Sequence, residues 1–587
     1  MKNNIKNYFT GSAVITVFFL ISLNSEIIFN FFEKSAESEM LLIFFHTASL
    51  FLISFAVFYV SSVFKLPSFV LAIFFGIASK NLLEPIIENH LILGVLVGLG
   101  ATLILFGGGI ETPYANFKKL AIKIFSLSFP GLLTTAILFS FFSFFAAKFI
   151  GNEITVISAV LLGAVLASTD PAAIIPVLKK LRFHNRSIKD IIVSESAVTD
   201  VSGTLLTIVF ISIALAKTPL NSITEWYMQI FTPTNGAVLL RQIFFGVLFG
   251  IIGWGLLEML SKFKINHNKE HEVDSAFFLF VPIIIFPITV ALGGSGYLAA
   301  FVSGLLFSLT EHLHETEKFF NHTIEGFLKP MIFILLGALV DPASLLKFAP
   351  IGIIASLGFM FIIRPITVFL FLGPFKFFGQ DRLNWREMAF ISFIRETGAI
   401  PAVLIVTVAS LKISGIDGFT EIGMWVILST LIIEPIFTPF VAKKLKLAEI
   451  IEDSHKIILK NGSKVILVTR GESFLDRLPI VIEWTKRHSI STITVLLCLE
   501  DKYSDELSGE IEVKAAKKFQ ELNEKIISQN EQEINFNFIS RKGFLNTNIE
   551  TIAEENKNVI AIFVGKKMLD FRLNEIKSLS IPLYFID

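Results

Sequence analysis

Residues 188–215 read IKDIIVSESAVTDVSGTLLTIVFISIAL, and the run Ser194-Glu195-Ser196-Ala197-Val198-Thr199-Asp200 sets two carboxylates inside this otherwise apolar segment. A membrane span needs roughly 20 largely apolar residues, and ionisable groups at that depth are costly enough that they pair or line a pathway. Glu195 and Thr199 are four apart, as are Ser196 and Asp200, so one helical turn presents two adjacent polar stripes. The two carboxylates, five apart, point about 140° from each other on a helix of 3.6 residues per turn. They should therefore do different jobs: one can be held by a permanent positive partner while the other binds and releases ions.

The rest of the chain has the composition this stretch requires. Its 587 residues are 53% hydrophobic and 17% charged, with a mean hydropathy of +0.70. Soluble domains carry about 25% charge, so much of this chain meets lipid. We count about fourteen candidate spans: 10–32, 40–63, 67–85, 91–110, 118–147, 153–178, 188–215, 237–260, 274–292, 294–312, 325–345, 346–375, 387–411 and 420–442. The run 274–312 is broken only by Gly293-Gly294-Ser295-Gly296. As one helix it would be about 58 Å long, against a hydrocarbon core of ~30 Å, so it is read as two spans. Lys and Arg crowd into alternate loops, among them Lys118, Lys119, Lys179, Lys180, Arg182, Arg186, Lys443, Lys444 and Lys446, while the opposite loops hold little beyond Lys80, Lys148, Lys217 and Lys347. This bias supports an even number of spans with both termini cytoplasmic. The first span, after a basic stretch, also has the outline of a signal peptide; its length and the lack of a small-residue cleavage site favour a retained helix.

Polar residues recur where lipid should be. The sixth span contains Ala167-Ser168-Thr169-Asp170-Pro171. Pro171 should open the helix near Thr169 and Asp170, freeing carbonyls that an adjacent hydroxyl and carboxylate can join around a small cation. The plainer reading is a kink that serves packing. Positive partners are few: Arg364 before Pro365 in the twelfth span, and Arg395 with Glu396 in the thirteenth. Arginine does not deprotonate there, so each must be paired or reach water; a purely structural lock is the alternative. Gly107-Gly108-Gly109 reads as close helix packing. Glu111, Glu258 and Glu434 are placed near interfaces, and Lys329-Pro330 at a cytoplasmic helix end.

Several classes are excluded. One cysteine, Cys498, rules out an intrachain disulfide and a cysteine metal cluster. Zero formal net charge gives no basis for nucleic-acid binding. No nucleophile with a base emerges in the spans, and His46 stands alone, so an enzyme is disfavoured and no cofactor is expected.

From about residue 455 the pattern changes to alternating strands and helices: strands 464–469, 490–499, 534–539, 559–565 and 583–586, helices 473–488, 510–528 and 548–556. This predicts an α/β domain with a mostly parallel sheet. The expected organisation is thus an additional N-terminal helix at 1–39, a membrane domain at 40–445 and a cytoplasmic domain at 455–587.

Taken in order, Leu105 to Glu111, Thr169-Asp170-Pro171, Glu195 to Asp200, Ser295 to Ala300, Arg364-Pro365 and Arg395 before Gly398-Ala399 resemble the monovalent cation/proton antiporters, in the sodium/proton exchanger branch. The resemblance covers roughly residues 40–442. It implies an all-α polytopic fold with inverted repeats and crossed broken helices, here the sixth and thirteenth spans, and a homodimer in the cell inner membrane. It also implies electroneutral exchange of protons for a monovalent cation, sodium first and potassium or lithium as alternatives. By the same resemblance Asp200 is the carboxylate for which cation and proton compete, with Asp170, Thr169 and Ser196 around the cation, Glu195 ion-paired to Arg364, and Arg395 beside the crossed helices. Thr199 stands where the family signature has asparagine, and Glu396 where it has glycine. A gated channel or sensor is the alternative function. The C-terminal domain resembles universal-stress-type domains at the level of fold; the glycine-rich phosphate-binding signature is absent after Gly565, so nucleotide is an unsupported possibility and regulation or assembly is the expected role.

Overall fold

The computed structural model describes residues 39–64, 67–112, 114–170, 177–178, 181–185, 187–216, 220–266, 276–308, 320–377 and 382–450, and then 464–469, 474–487, 490, 492–499, 511–521, 535–542, 559–565 and 583–586. The chain divides into two compact units, Met1–Ile451 and Glu452–Asp587. The span expected at 10–32 and the helix expected at 548–556 lie outside the described residues, as does Pro171.

The first unit is an all-α bundle. Among the described residues eight helices are long and apolar enough to cross a membrane, or nine if the bent pair Ser68–Ala78 and Lys80–Glu88 is one span. That pair falls on the span expected at 67–85, and the chain turns by 87° at Ser79. Four further apolar helices are shorter: Val156–Leu166, Ala276–Ala291, Gly296–Phe307 and Ala399–Ser410. The glycine-rich break at 293–296 does separate two helices. Gly293 takes a left-handed φ of 77°, which costs glycine nothing, and Ser295 caps the second helix by accepting the Leu298 N–H.

The elements that carry the site are α1 (His90–Glu111), α2 (Val156–Leu166), α3 (Ser187–Leu215), α4 (Lys329–Leu339), α5 (Arg364–Leu372), α6 (Trp385–Phe393), α7 (Ala399–Ser410) and α8 (Phe419–Lys444). Three wide π turns interrupt the spans, at Leu127–Gly131, Ile324–Leu328 and Phe359–Ile363. Each contains or directly precedes a proline-bearing step: Pro130, Lys329-Pro330 and Arg364-Pro365. Proline lacks an N–H and its ring collides with the carbonyl four residues back; widening the turn relieves the collision without ending the helix. This overturns the placement of Lys329 at a helix end. The helix runs on through the π turn from Phe320 to Leu339, so Lys329 sits halfway along and is buried. Glu434, expected near an interface, is fully buried. Two short strands, β1 (Leu181–Phe183) and β2 (Ala448–Ile450), pair antiparallel and tie the end of α8 to the segment before α3.

The second unit holds a five-stranded sheet of β3 (Lys464–Thr469), β4 (Thr492–Leu499), β5 (Asn535–Lys542), β6 (Val559–Gly565) and β7 (Leu583–Ile586), with helices Phe474–Arg487 and 511–521. All neighbouring strands are parallel, in the order β5-β4-β3-β6-β7. The runs VILV and TVLL are buried nearly throughout, as strands of a parallel sheet covered on both faces require.

Candidate functional site

The end of one helix and the break in another meet at the centre of the first unit. The helix α2 stops at Leu166 and residues 168–170 are non-helical; α6 stops at Phe393 and residues 394–398 are non-helical before α7 begins. The breaks bond to each other: the Asp170 N–H donates to the Glu396 carbonyl at 2.8 Å, and the Ala399 N–H donates to Asp170 Oδ2 at 3.0 Å. The Asp170 carboxylate thus sits at the N-terminus of α7, where unsatisfied N–H groups and the helix dipole favour negative charge. Gly398 makes this approach possible, since a Cβ there would lie 2.1 Å from Asp170 Oδ2.

Arg395 secures the other side of the crossing. Its guanidinium donates to the carbonyls of Leu166 and Ala167 at 3.1 and 2.6 Å, capping the open C-terminal end of α2, and it stacks 4.2 Å over the Phe359 ring. Its backbone N–H donates to Glu434 Oε2 at 2.6 Å. The sequence left the partner of Arg395 open; the contacts found run to a carbonyl pair and to an acid on α8.

On α3 the two carboxylates diverge as their spacing requires. Glu195 receives both terminal nitrogens of Arg364, at 2.9 and 2.7 Å, in a fully buried two-pronged pair. Asp200 is buried, and its Oδ1 has no hydrogen-bond partner among the described residues. Between them the hydroxyls lace α3 to the first break. Ser196 Oγ donates to the Thr169 carbonyl at 2.6 Å. Thr199 Oγ1 lies 3.0 Å from Thr169 Oγ1, accepts the Thr169 N–H at 3.3 Å and donates to the Ser196 carbonyl at 2.9 Å.

Asp170, Ser196 and Asp200 line one cavity of about 50 Å³, together with Glu111, Glu325 and Lys329. At about 10–15 Å³ per water, it holds a few waters or one partly hydrated small ion. Lys329 donates to Glu325 Oε1 at 2.5 Å. Sequence reasoning did not place Glu111, Glu325 or Lys329 at the site. For Lys329 the signal was available: a lysine within an apolar run of spanning length.

Such an arrangement defines a class: a polytopic membrane bundle in which the end of one helix and the break in another meet beside a small cavity lined by carboxylates. Residues 47–444 match the family described as sodium/hydrogen exchanger, transmembrane, and the chain belongs to that family. Among curated relatives, it is 28% identical over 340 residues to the K(+)/H(+) antiporter NhaP2 of Shewanella oneidensis, covering 57% of this chain and 54% of that protein. It is 27% identical over 260 residues to the Na(+)/H(+) antiporter 1 of Methanocaldococcus jannaschii, covering 42% and 55%. The chain thus spans about half the length of the curated relatives it matches. The structure of the sodium proton antiporter MjNhaP1 from Methanocaldococcus jannaschii shares the fold, with a TM-score of 0.55 at 22% identity, over 69% of this chain and 99% of that one.

Proposed function

We propose that this protein is a secondary active antiporter that exchanges protons for a monovalent cation, with Asp200 as the carboxylate for which the two ions compete. The observation that carries this reading is the Asp200 side chain itself: buried, with one oxygen lacking a hydrogen-bond partner among the described residues, on a cavity it shares with Asp170. A deprotonated Asp200 would gain a ligand by taking a cation, assisted by Asp170 and by the hydroxyls of Ser196, Thr169 and Thr199; a protonated one no longer attracts it. Glu195, held by Arg364, is the fixed member of the motif. Thr199 supplies a hydroxyl and no second titrating group, which favours one-for-one exchange. Curated relatives are named for potassium and for sodium, so both ions are candidates, with lithium.

The architecture proposed is a homodimer of fourteen-span subunits with inverted repeats. The count combines the eight long helices, the bent pair and the four shorter helices with residues 10–32. Family membership supports the cell inner membrane, and the basic loop residues favour both termini in the cytoplasm. For the second unit, with its parallel five-stranded sheet, a regulatory or assembly role is proposed. The deciding experiment is proton flux in proteoliposomes under imposed sodium, lithium or potassium gradients. Uphill movement coupled to pH separates an antiporter from a channel, and Asp200→Asn should abolish it. Exchange at the normal rate in that variant would sink the assignment.

A further inference from the structure

The cavity contains a charge that the mechanism above leaves unused. Lys329 is buried halfway along its span, and its ammonium enters the same small volume as Asp170 and Asp200. Four acids face it. Glu325 comes from its own segment one turn earlier, Glu111 from the end of α1, Asp170 from the first break and Asp200 from α3. These acids are not equivalent. Glu111 is exposed and the Glu325 side chain is 39% exposed, which sets them at the mouth, whereas Asp170 and Asp200 are buried at the floor. Lys329 stands between the two levels: it is hydrogen-bonded to Glu325 at 2.5 Å and lies within electrostatic reach of Asp170 and Asp200.

A buried ammonium needs a negative partner, and a cation arriving at Asp200 needs the same acids. The two positive charges share a cavity with room for only a few waters, too little to screen one from the other. The π turn Ile324–Leu328 lies between the paired residues; such widened turns are a frequent feature of functional sites.

We propose that Lys329 is an affinity-setting residue of this pathway: a tethered cation, held toward the mouth by Glu325, whose distance from the Asp170–Asp200 floor fixes how tightly a mobile cation binds there. The inference rests on the antiport reading and deepens it. Removing the tethered charge should strengthen cation binding, and releasing it from Glu325 should weaken binding by letting it move toward the floor.

The two substitutions therefore push in opposite directions, which a purely structural ion pair would not do. The full-length protein is reconstituted in proteoliposomes, and proton flux is measured against sodium and potassium concentration for wild type, Lys329→Gln, Lys329→Arg and Glu325→Gln. Lys329→Gln should lower the apparent KM for the cation about ten- to hundredfold, the size of a charge interaction over several ångströms at an effective dielectric constant of about 20. Glu325→Gln should raise it by a comparable factor, and Lys329→Arg should stay near wild type. If Lys329→Gln fails to give monodisperse protein, the rise in Glu325→Gln together with retention in Lys329→Arg still decides the matter. Wild-type exchange with KM unmoved in Glu325→Gln, or with Lys329→Gln and Glu325→Gln shifting it the same way, overturns this proposal alone. Wild-type liposomes without cation-dependent proton flux overturn the antiport reading and this proposal with it.

Discussion

Replacing Gly398 by alanine drives a methyl group into Asp170. The added carbon would lie 2.1 Å from Oδ2, 2.2 Å from Cβ and 2.4 Å from Cγ, whereas ordinary contacts begin near 3.4 Å. The carboxylate must retreat by about 1.3 Å, the difference between 3.4 and 2.1 Å. The bond it accepts from the Ala399 N–H at 3.0 Å does not survive such a shift. A hydrogen bond to a charged group contributes about 1.5–3 kcal/mol, so Asp170 loses about ten- to hundredfold of its positional preference. If Asp170 helps hold the cation, the apparent KM of Gly398→Ala should rise by about that factor. The assay is the cation dependence of proton flux in proteoliposomes, with Gly255→Ala as control, because a methyl at Gly255 meets nothing within 4 Å. A Gly398→Ala protein that is folded and exchanges with the wild-type KM would refute the role given to Asp170 and to the crossing that positions it.

The buried pair makes a second test. Glu195→Gln leaves the Arg364 guanidinium buried without its carboxylate and should cost about 3–5 kcal/mol, seen as a lowered melting temperature in detergent; replacing both residues by methionine should recover much of that loss. Arg395→Lys cannot reproduce a planar group that stacks on Phe359 while donating to two carbonyls. It should lower the melting temperature and the maximal exchange rate together, and wild-type values for both would remove Arg395 from the crossing.

How much of this was legible in the sequence differs from residue to residue. The divergence of Glu195 and Asp200 follows from helical pitch alone, and one does point to Arg364 while the other points into the cavity. Most β-strands of the second unit were legible because short apolar runs rich in β-branched residues and bounded by polar segments read as strands. The partners of Arg395 were not: Pro171 signals that carbonyls are freed, but nothing in the sequence says which side chain reaches them. Lys329 was misplaced for a related reason: Lys-Pro reads as the start of a helix, and only the π turn before it lets the span continue. The bend at Ser79 was missed although the polar run Ser79-Lys80-Asn81 interrupts the apolar pattern there.

The contacts between the end of α2 and the break before α7 also constrain motion. The open end of α2 is finished by an arginine from the second break, and the start of α7 is finished by a carboxylate from the first. Each strand of the cross therefore completes the other's main chain, and sliding one alone would strip hydrogen bonds from both in a place water does not readily reach. Displacement is cheap only if residues 166–170 and 394–399 travel together. Under the proposed antiport, the ion site would be carried as a rigid cargo platform, and flexibility would belong to the surrounding helices rather than to the cradle itself.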